Sequence, residues 1–511
     1  MKKTITLLTL CLIGTFSFAQ QAPAIQWQKC LGGTNSDGAS SIQPTPDGGY
    51  IMAGSSQSTD GDVTGNHGSS DVWVVKLSST GSLQWRKCLG GTNSDGASSI
   101  QPTPDGGYIM AGSSQSTDGD VTGNHGNADT WVVKLSGTGS LQWQKALGGT
   151  SYDIAQNIQP TPDSGYIVAG YTNSTNGDVI GNHGGYDAWV VKLSSTGSVQ
   201  WQKALGGTAD DQARSIQLTL DGSYIVAGFT ASTSGDVTGN HGDWDAWVVK
   251  LSSTGSLQWQ KCLGGTARDN AQSIQSTPDG DYILAGSTRS TDGNVNGNIG
   301  YFDAWVVKLS STGSLQWQKA LGGTSADVAT SIQTTTDGGY ILAGITSSTD
   351  GDVTGNHGSD DAWVVKLNST GSLQWQKALG GTEVDRAQSI QPTPDDGYIV
   401  AGSTWSNNGD VTGYHGNADA WVVKLGPELS TTGFVKEPIV VYPNPAKAML
   451  TVQNNLQTPF EKIVITDLTG KIVLIQTSNT NQINVEPLAS GMYLLEATSG
   501  GAHLVSKFVK N

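Results

Sequence analysis

Carboxylates are the groups in this sequence best placed to do chemistry, because they recur at a fixed interval. Asp37, Asp95, Asp153, Asp211, Asp269, Asp327 and Asp385 each come shortly after a Gly-Gly-Thr triplet. Asp71, Asp129, Asp187, Asp245, Asp303, Asp361 and Asp419 each stand two residues before a tryptophan. A third set, Asp62, Asp120, Asp178, Asp236, Asp352 and Asp410, gives way to Asn294 in one copy. Gathered oxygen ligands are what calcium requires, which makes the third set the calcium candidate. The spacing does not fit an EF-hand loop, however, and the nearby Asp60 is replaced by Asn176, Ser234 and Asn408. The preferred reading is structural: these carboxylates accept loop N–H bonds and pin turns, and no cofactor is expected. His67, His125, His183, His241, His357 and His415 also recur, but Ile299 holds that place in the fifth copy. A group replaced by isoleucine does no shared chemistry, and nothing suggests the convergent ligands that zinc needs.

Departures from the repeat are more informative. Tyr171 and Phe229 stand where most copies have Ser; Tyr186, Trp244, Tyr301 and Phe302 stand where most are small or polar; Trp405 is a further outlier. They fall in or beside one type of loop in neighbouring copies, so they are expected to form a ligand-binding patch, stacking on sugar rings or anchoring a protein. Packing of loop against loop is the competing reading. The Thr-Pro-Asp-Gly-Gly-Tyr stretch partly resembles the Asp-box hairpin of sialidases, itself a turn-stabilising element. Arg86, Arg214, Arg268, Arg289 and Arg386 fall at unrelated repeat positions, which does not promise a carboxylate-binding cluster. No nucleophile motif or phosphate loop is present. Catalysis needs unlike groups converging on one point, whereas repetition supplies like groups on a ring. The expectation is a secreted or cell-surface binding module for a glycan or protein, without chemistry of its own. A glycan-active hydrolase is the alternative, and a purely structural surface protein the third class.

The element that positions these residues is a repeat of 58 residues in seven copies. Trp27, Trp85, Trp143, Trp201, Trp259, Trp317 and Trp375 keep that period, as do Trp73, Trp131, Trp189, Trp247, Trp305, Trp363 and Trp421. Residues 27–66 differ from 85–124 only at Gln28 versus Arg86. Each copy offers four short strands. Pro-Asp-Gly-Gly supplies hairpin chemistry between the first two, and the apolar second strand reads as covered on both faces. Four antiparallel strands in seven units predict an all-β, seven-bladed β-propeller. The array begins with a fourth strand, residues 25–29, and ends with a third strand, residues 421–425, so the N-terminal strand is expected to close the last blade and remove two exposed edges. The two long loops then share one face, where binding groups belong.

Composition agrees with strands and turns: glycine numbers 69 residues and charged residues make up 14%. Met1-Lys2-Lys3, an apolar stretch and Ser17-Phe18-Ala19 read as a signal peptide, residues 1–19. No later segment is apolar enough to span a bilayer. The formal charge of −16 becomes −18 without Lys2 and Lys3, which argues against nucleic acid as a partner. Cys30, Cys88 and Cys262 share one repeat position with alanines, which marks a small buried site rather than a disulfide framework.

After the propeller (residues 20–425) and a linker (426–438), residues 439–511 read as a small β-sandwich. It carries Tyr442-Pro443-Asn444-Pro445-Ala446, Asp467-Leu468-Thr469-Gly470-Lys471, Leu488-Ala489-Ser490-Gly491-Met492-Tyr493 and Lys507-Phe508-Val509-Lys510. In that order these motifs closely resemble the type A C-terminal sorting domain of the type IX secretion system of Bacteroidetes. The resemblance implies the type IX machinery as partner, export across the outer membrane, removal of the domain, and release or surface attachment. The repeats loosely resemble uncharacterised β-propeller repeats of secreted bacterial proteins, which brings no activity.

Overall fold

The computed structural model describes residues 21–428, 439–453, 460–467, 471–477, 481–499 and 502–511. The expected leader, residues 1–19, lies outside them, as does most of the expected linker. Every regular element among the described residues is a strand, and none of them forms a helix long and apolar enough to cross a membrane. The chain divides into two compact units, one running to Glu428 and the other from Leu429.

The first unit consists of seven four-stranded antiparallel sheets, a propeller-like array. The first sheet runs Asp37–Pro44, Tyr50–Ser56, Asp71–Leu77 and Leu83–Leu89, in chain order. Five more repeat it. The seventh contains Asp385–Pro392, Tyr398–Thr404 and Asp419–Leu425, and its outer strand is Ile25–Leu31 from the other end of the array. That pairing runs from Ile25 opposite Leu425 to Leu31 opposite Ala420.

Local chemistry explains the hairpins. Thr45 and Gly49 close the first turn, with Gly48 at φ 79°, a left-handed conformation that favours glycine. Ser164 and Asp396 occupy the same site in two copies at φ 64° and 58°. Asp47 in that turn accepts from the ammonium of Lys76 at 2.9 Å, and Lys76 lies buried near the end of the third strand. Hydrogen bonds from Thr45 and Lys76 hold the Asp47 carboxyl down at about 2. All seven copies contain this pair, which neutralises a lysine that would be costly to bury alone.

Each first strand carries a bulge. Ala39 opposes Gly54 and Ser41 opposes Ala53, leaving Ser40 unpaired. At this bulge a Cβ on Gly54 would lie 2.0 Å from the Gly38 carbonyl oxygen, so glycine fills the second-strand position in every copy. The bulged residue is re-aimed out of the ladder.

The core lies between sheets. Tyr50, Met52, Trp73 and Val75 of the first sheet pack with Ile399, Ala401, Ala420 and Val422 of the seventh. Trp27, on the outer strand of the seventh sheet, meets Tyr50 at 5.9 Å between ring centroids, and the same Trp–Tyr contact joins each sheet to the next. Cys30, Cys88 and Cys262 are buried free thiols, and burial pushes each up to about 12.

In the second unit, a three-stranded sheet (Val440–Tyr442, Met449–Gln453, Gln482–Asn484) accompanies a four-stranded one (Ile472–Gln476, Lys462–Asp467, Gly491–Ser499, Ala502–Lys510). Leu450, Val452, Ile463, Ile465, Leu495 and Phe508 share their common core.

The difference between Gln28 and Arg86 has a structural cost. In five third strands the indole N–H donates at 2.8 Å to a glutamine of its own repeat's next strand, and Trp421 does the same to Gln28. Arg86 cannot accept, and the Trp73 indole nitrogen is buried without a partner. Arg86→Gln is expected to restore the bond, add about 1 kcal/mol and raise the melting temperature by about 1–2 °C. A fall in calorimetry would mean that Arg86 contributes more than it forfeits.

Candidate functional site

The long-loop face is built on the recurring carboxylates. Asp153 shows the first set: its Oδ1 accepts from the Thr172 hydroxyl, and its Oδ2 accepts from Gly149 N–H at 2.8 Å and the Ser174 hydroxyl at 2.7 Å. These bonds tie the loop entering the first strand to the end of the second. Five of the six calcium candidates are loop fasteners as well. Asp120 and Asp178 accept from Gly90 and Gly148 N–H at 3.3 and 3.2 Å, and Asn294 accepts likewise from Gly264. Asp236, Asp352 and Asp410 repeat the contact. An amide oxygen makes this bond too, which accounts for the substitution. Among the described residues no three His, Cys, Asp or Glu side chains gather in a way that could hold a metal ion.

The third-strand aspartates are fully buried, and each has its Oδ1 without a partner in the protein. Oδ2 of Asp71 accepts from the backbone N–H of His67 at 2.9 Å, with His67 Nδ1 at 2.7 Å. Ile299 keeps only the backbone bond, to Asp303 at 3.0 Å, which explains why isoleucine is tolerated there. Burial is the main cause that raises these carboxyls, to about 6 for Asp187 and Asp303.

The aromatic departures come together in pairs within each copy. Tyr171 meets Tyr186 edge-on at 5.3 Å, Phe229 stacks on Trp244 at 4.5 Å and 14°, and Tyr301 meets Phe302 edge-on at 5.1 Å. Their exposure differs: Phe229 is 4% exposed and backs Trp244 from within, while Tyr301 is 55% exposed. Tyr171, Tyr186, Trp244 and Phe302 are half-buried.

Two features escaped the sequence reading. The arginines, scattered in repeat position, converge on these rings in space. The Arg268 guanidinium lies 4.5 Å from the Trp244 centroid, Arg289 4.5 Å from Tyr301, Arg386 5.7 Å from Trp405, and Arg214 5.7 Å from both Tyr171 and Phe229. Tyr152, 41% exposed, belongs to the same surface. For Tyr152 and Arg268 the signal lay in a position not singled out, the first of three that each immediately precede a pinned residue. One reads Ser36, Ser94, Tyr152, Asp210, Arg268, Ala326, Val384; the second Ser55, Ser113, Tyr171, Phe229, Ser287, Ile345, Ser403; the third Ser70, Ala128, Tyr186, Trp244, Phe302, Asp360, Ala418.

The second missed feature is a cavity of about 420 Å³ among the first strands, lined from all seven sheets. Apart from Arg214 its wall is neutral and polar: Ser41, Ser99, Asn157, Ser215, Ser273, Ser331 and Ser389 at one level, a glutamine two residues on in every copy, and the bulged residues. Ser389 also accepts from Ile42 N–H at 3.3 Å, joining the seventh sheet to the first.

In the second unit the opening and closing motifs are in contact. Asn444 Oδ1 accepts from Val509 N–H at 2.9 Å, Ala446 N–H donates to the Val509 carbonyl at 2.8 Å, and Tyr493 stacks on Phe508 at 5.7 Å. Residues 440–511 match the family described as the secretion system C-terminal sorting domain. The sorting domain is thus a folded unit whose signature residues are also its fastenings. The Gly470 turn of its second motif lies outside the described residues.

Over 413 aligned residues the chain is 24% identical to regulatory protein FlaEY of Caulobacter vibrioides, covering 70% of this chain and 41% of that protein. It therefore spans less than half of that relative. Among solved structures, puromycin hydrolase superposes with TM-score 0.45 at 9% identity, over 91% of this chain and 59% of the other. The Neurospora crassa Pan2 WD40 domain gives 0.43 at 11%, over 77% and 95%. PorZ of Porphyromonas gingivalis, a surface component of the type-IX secretion system, gives 0.38 at 12%, over 91% and 58%. At these scores no activity or partner transfers to this chain.

The raised carboxyls predict a pH dependence. A native carboxyl with a raised pKa keeps its proton to higher pH than the unfolded one, so the native state binds more protons between pH 3.8 and about 6. Stability falls as pH rises through that window. The melting temperature is expected to be higher at pH 5 than at pH 7.5, and Asp303→Asn, which cannot ionise, is expected to shrink the difference. A profile that rises toward neutral pH would contradict this.

Proposed function

We propose that the first unit is a seven-bladed β-propeller closed by residues 25–31, and that it is a secreted or cell-surface binding module for a glycan or protein. Residues 439–511 would deliver it through the type IX machinery after removal of residues 1–19. Closure is supported by the pairing of the N-terminal strand with Asp419–Leu425, the Trp27–Tyr50 contact and the Ser389–Ile42 bond. Deleting residues 20–30 is then expected to lower the melting temperature by more than about 10 °C or to cause aggregation through the opened edges. An unchanged melting curve would exclude the closed topology.

The observation that carries the binding reading is the asymmetry of the long-loop face. The strands and their pairing recur in every copy, yet Tyr152, Tyr171, Tyr186, Trp244, Tyr301 and Phe302 crowd copies three to five, where the seventh and first copies present mainly Ser and Ala. The fold does not need rings there, so their cost in exposed apolar surface points to a partner. Phe229 supports the patch from beneath. The hydrolase alternative calls for paired carboxylates facing a cavity, and the cavity lining contains none. Calcium has no role in this reading. In a glycan array probed with the full chain, Tyr186→Ala with Tyr301→Ala is expected to lower the bound signal about tenfold and shift the melting temperature by less than about 2 °C. An unchanged signal, or unfolding, would assign these rings to packing.

A further inference from the structure

Arg214 is the one charged side chain lining the central cavity. It occupies the bulge of the fourth sheet, between Ala213 and Ser215, where the other copies place Ser40, Ser98, Gln156, Gln272, Thr330 and Gln388. Arg268 and Arg386 pair with Asp243 and Asp360, but Arg214 has no carboxylate partner among the described residues. Its terminal nitrogens donate to Gln156 Oε1 at 3.2 Å and Gln212 Oε1 at 2.8 Å, and its Nε is buried without a partner. Burial lowers its pKa, the direction expected of a cation short of counter-charge. A guanidinium has five N–H donors in a planar fork suited to bidentate recognition of carboxylate or phosphate; with two bonded and the Nε–H buried, one on each terminal nitrogen is left to offer.

The surroundings narrow the ligand. Tyr171 and Phe229 hold the guanidinium between sheets three and four, beside the aromatic surface. The remaining wall offers glutamine amides and serine hydroxyls, which match sugar hydroxyls, and the volume lies in the range of small-molecule sites. A bare anion would leave most of those groups without partners, and a neutral sugar would leave Arg214 uncompensated.

The geometry points to a carboxylate-bearing sugar as the ligand of this cavity, its carboxylate on Arg214 and its hydroxyls on the glutamine and serine rings. This rests on the reading of the propeller as a binding module and names a site and a ligand class for it.

The test is calorimetric titration of the full chain with D-glucuronate and D-galacturonate, beside glucose, galactose, acetate and inorganic phosphate. A uronate is expected to bind at least about tenfold more tightly than its neutral counterpart and than either bare anion. Arg214→Gln installs the residue that three other copies carry at this position, so it is expected to fold with an unchanged or raised melting temperature and to lose the preference. Arg214→Lys restores charge without the fork and is expected to recover only part of it. Equal binding of uronate and neutral sugar, full uronate affinity in Arg214→Gln, acetate or phosphate binding as tightly as uronate, or no uronate binding would each overturn the inference. Glycan-array binding that persists in Arg214→Gln but is lost in the double tyrosine variant would overturn this inference alone and leave the module reading standing.

Discussion

One buried carboxylate per copy holds the long-loop face in place. Asp153 and its counterparts accept hydrogen bonds from a backbone amide of one loop and from two hydroxyls at the start of the other. Three donors offset much of the cost of burying so polar a group, and in return two loops distant in sequence are fixed to each other. The backbone outside this bond network can then vary in side chain without changing course, as the parallel bridges linking Ala128 to Tyr152 and Trp244 to Arg268 illustrate.

Strand alternation converts that stability into a display surface. Tyr152, Tyr171 and Tyr186 each precede a residue whose side chain is buried, Asp153, Thr172 and Asp187. Neighbours along a strand point to opposite faces, so the residue before each inward anchor is turned outward. The variation that distinguishes one copy from another has accumulated at those outward positions and at the bulge, where Arg214 stands.

Much of this was legible in the sequence. The tryptophan period, the Pro-Asp-Gly turns and the array beginning on a fourth strand gave the sheets and the strand exchange at the ends. The recurring aspartates were read as turn fasteners from their misfit to an EF-hand and the replacement of Asp60, and the contacts explain the other replacements: Asn294 keeps an amide-oxygen bond and Ile299 a backbone N–H bond. The cavity was not legible. A bulge leaves no composition signal beyond a glycine on the partner strand, and the glutamines that line the cavity look like ordinary polar ends of a strand. The arginines misled for a related reason: they sit at different repeat positions, and only the packing of one sheet on the next brings Arg214 beside both Tyr171 and Phe229. Phe229 shows the reverse limit, because sequence marks a ring as unusual without saying which side of its loop it takes.

The strand pair at the ends of the array also sets an order of events. The bond from Trp421 to Gln28 spans 393 residues, against 13 for the same bond inside a repeat. Six sheets are built from neighbouring segments, while the seventh waits for both ends of the array to exist at once. Closing so long a loop is the slow kind of contact in folding. Until it forms, the edges of Ile25–Leu31 and Asp419–Leu425 stay open to any other strand. This contact is the natural last step in folding the array.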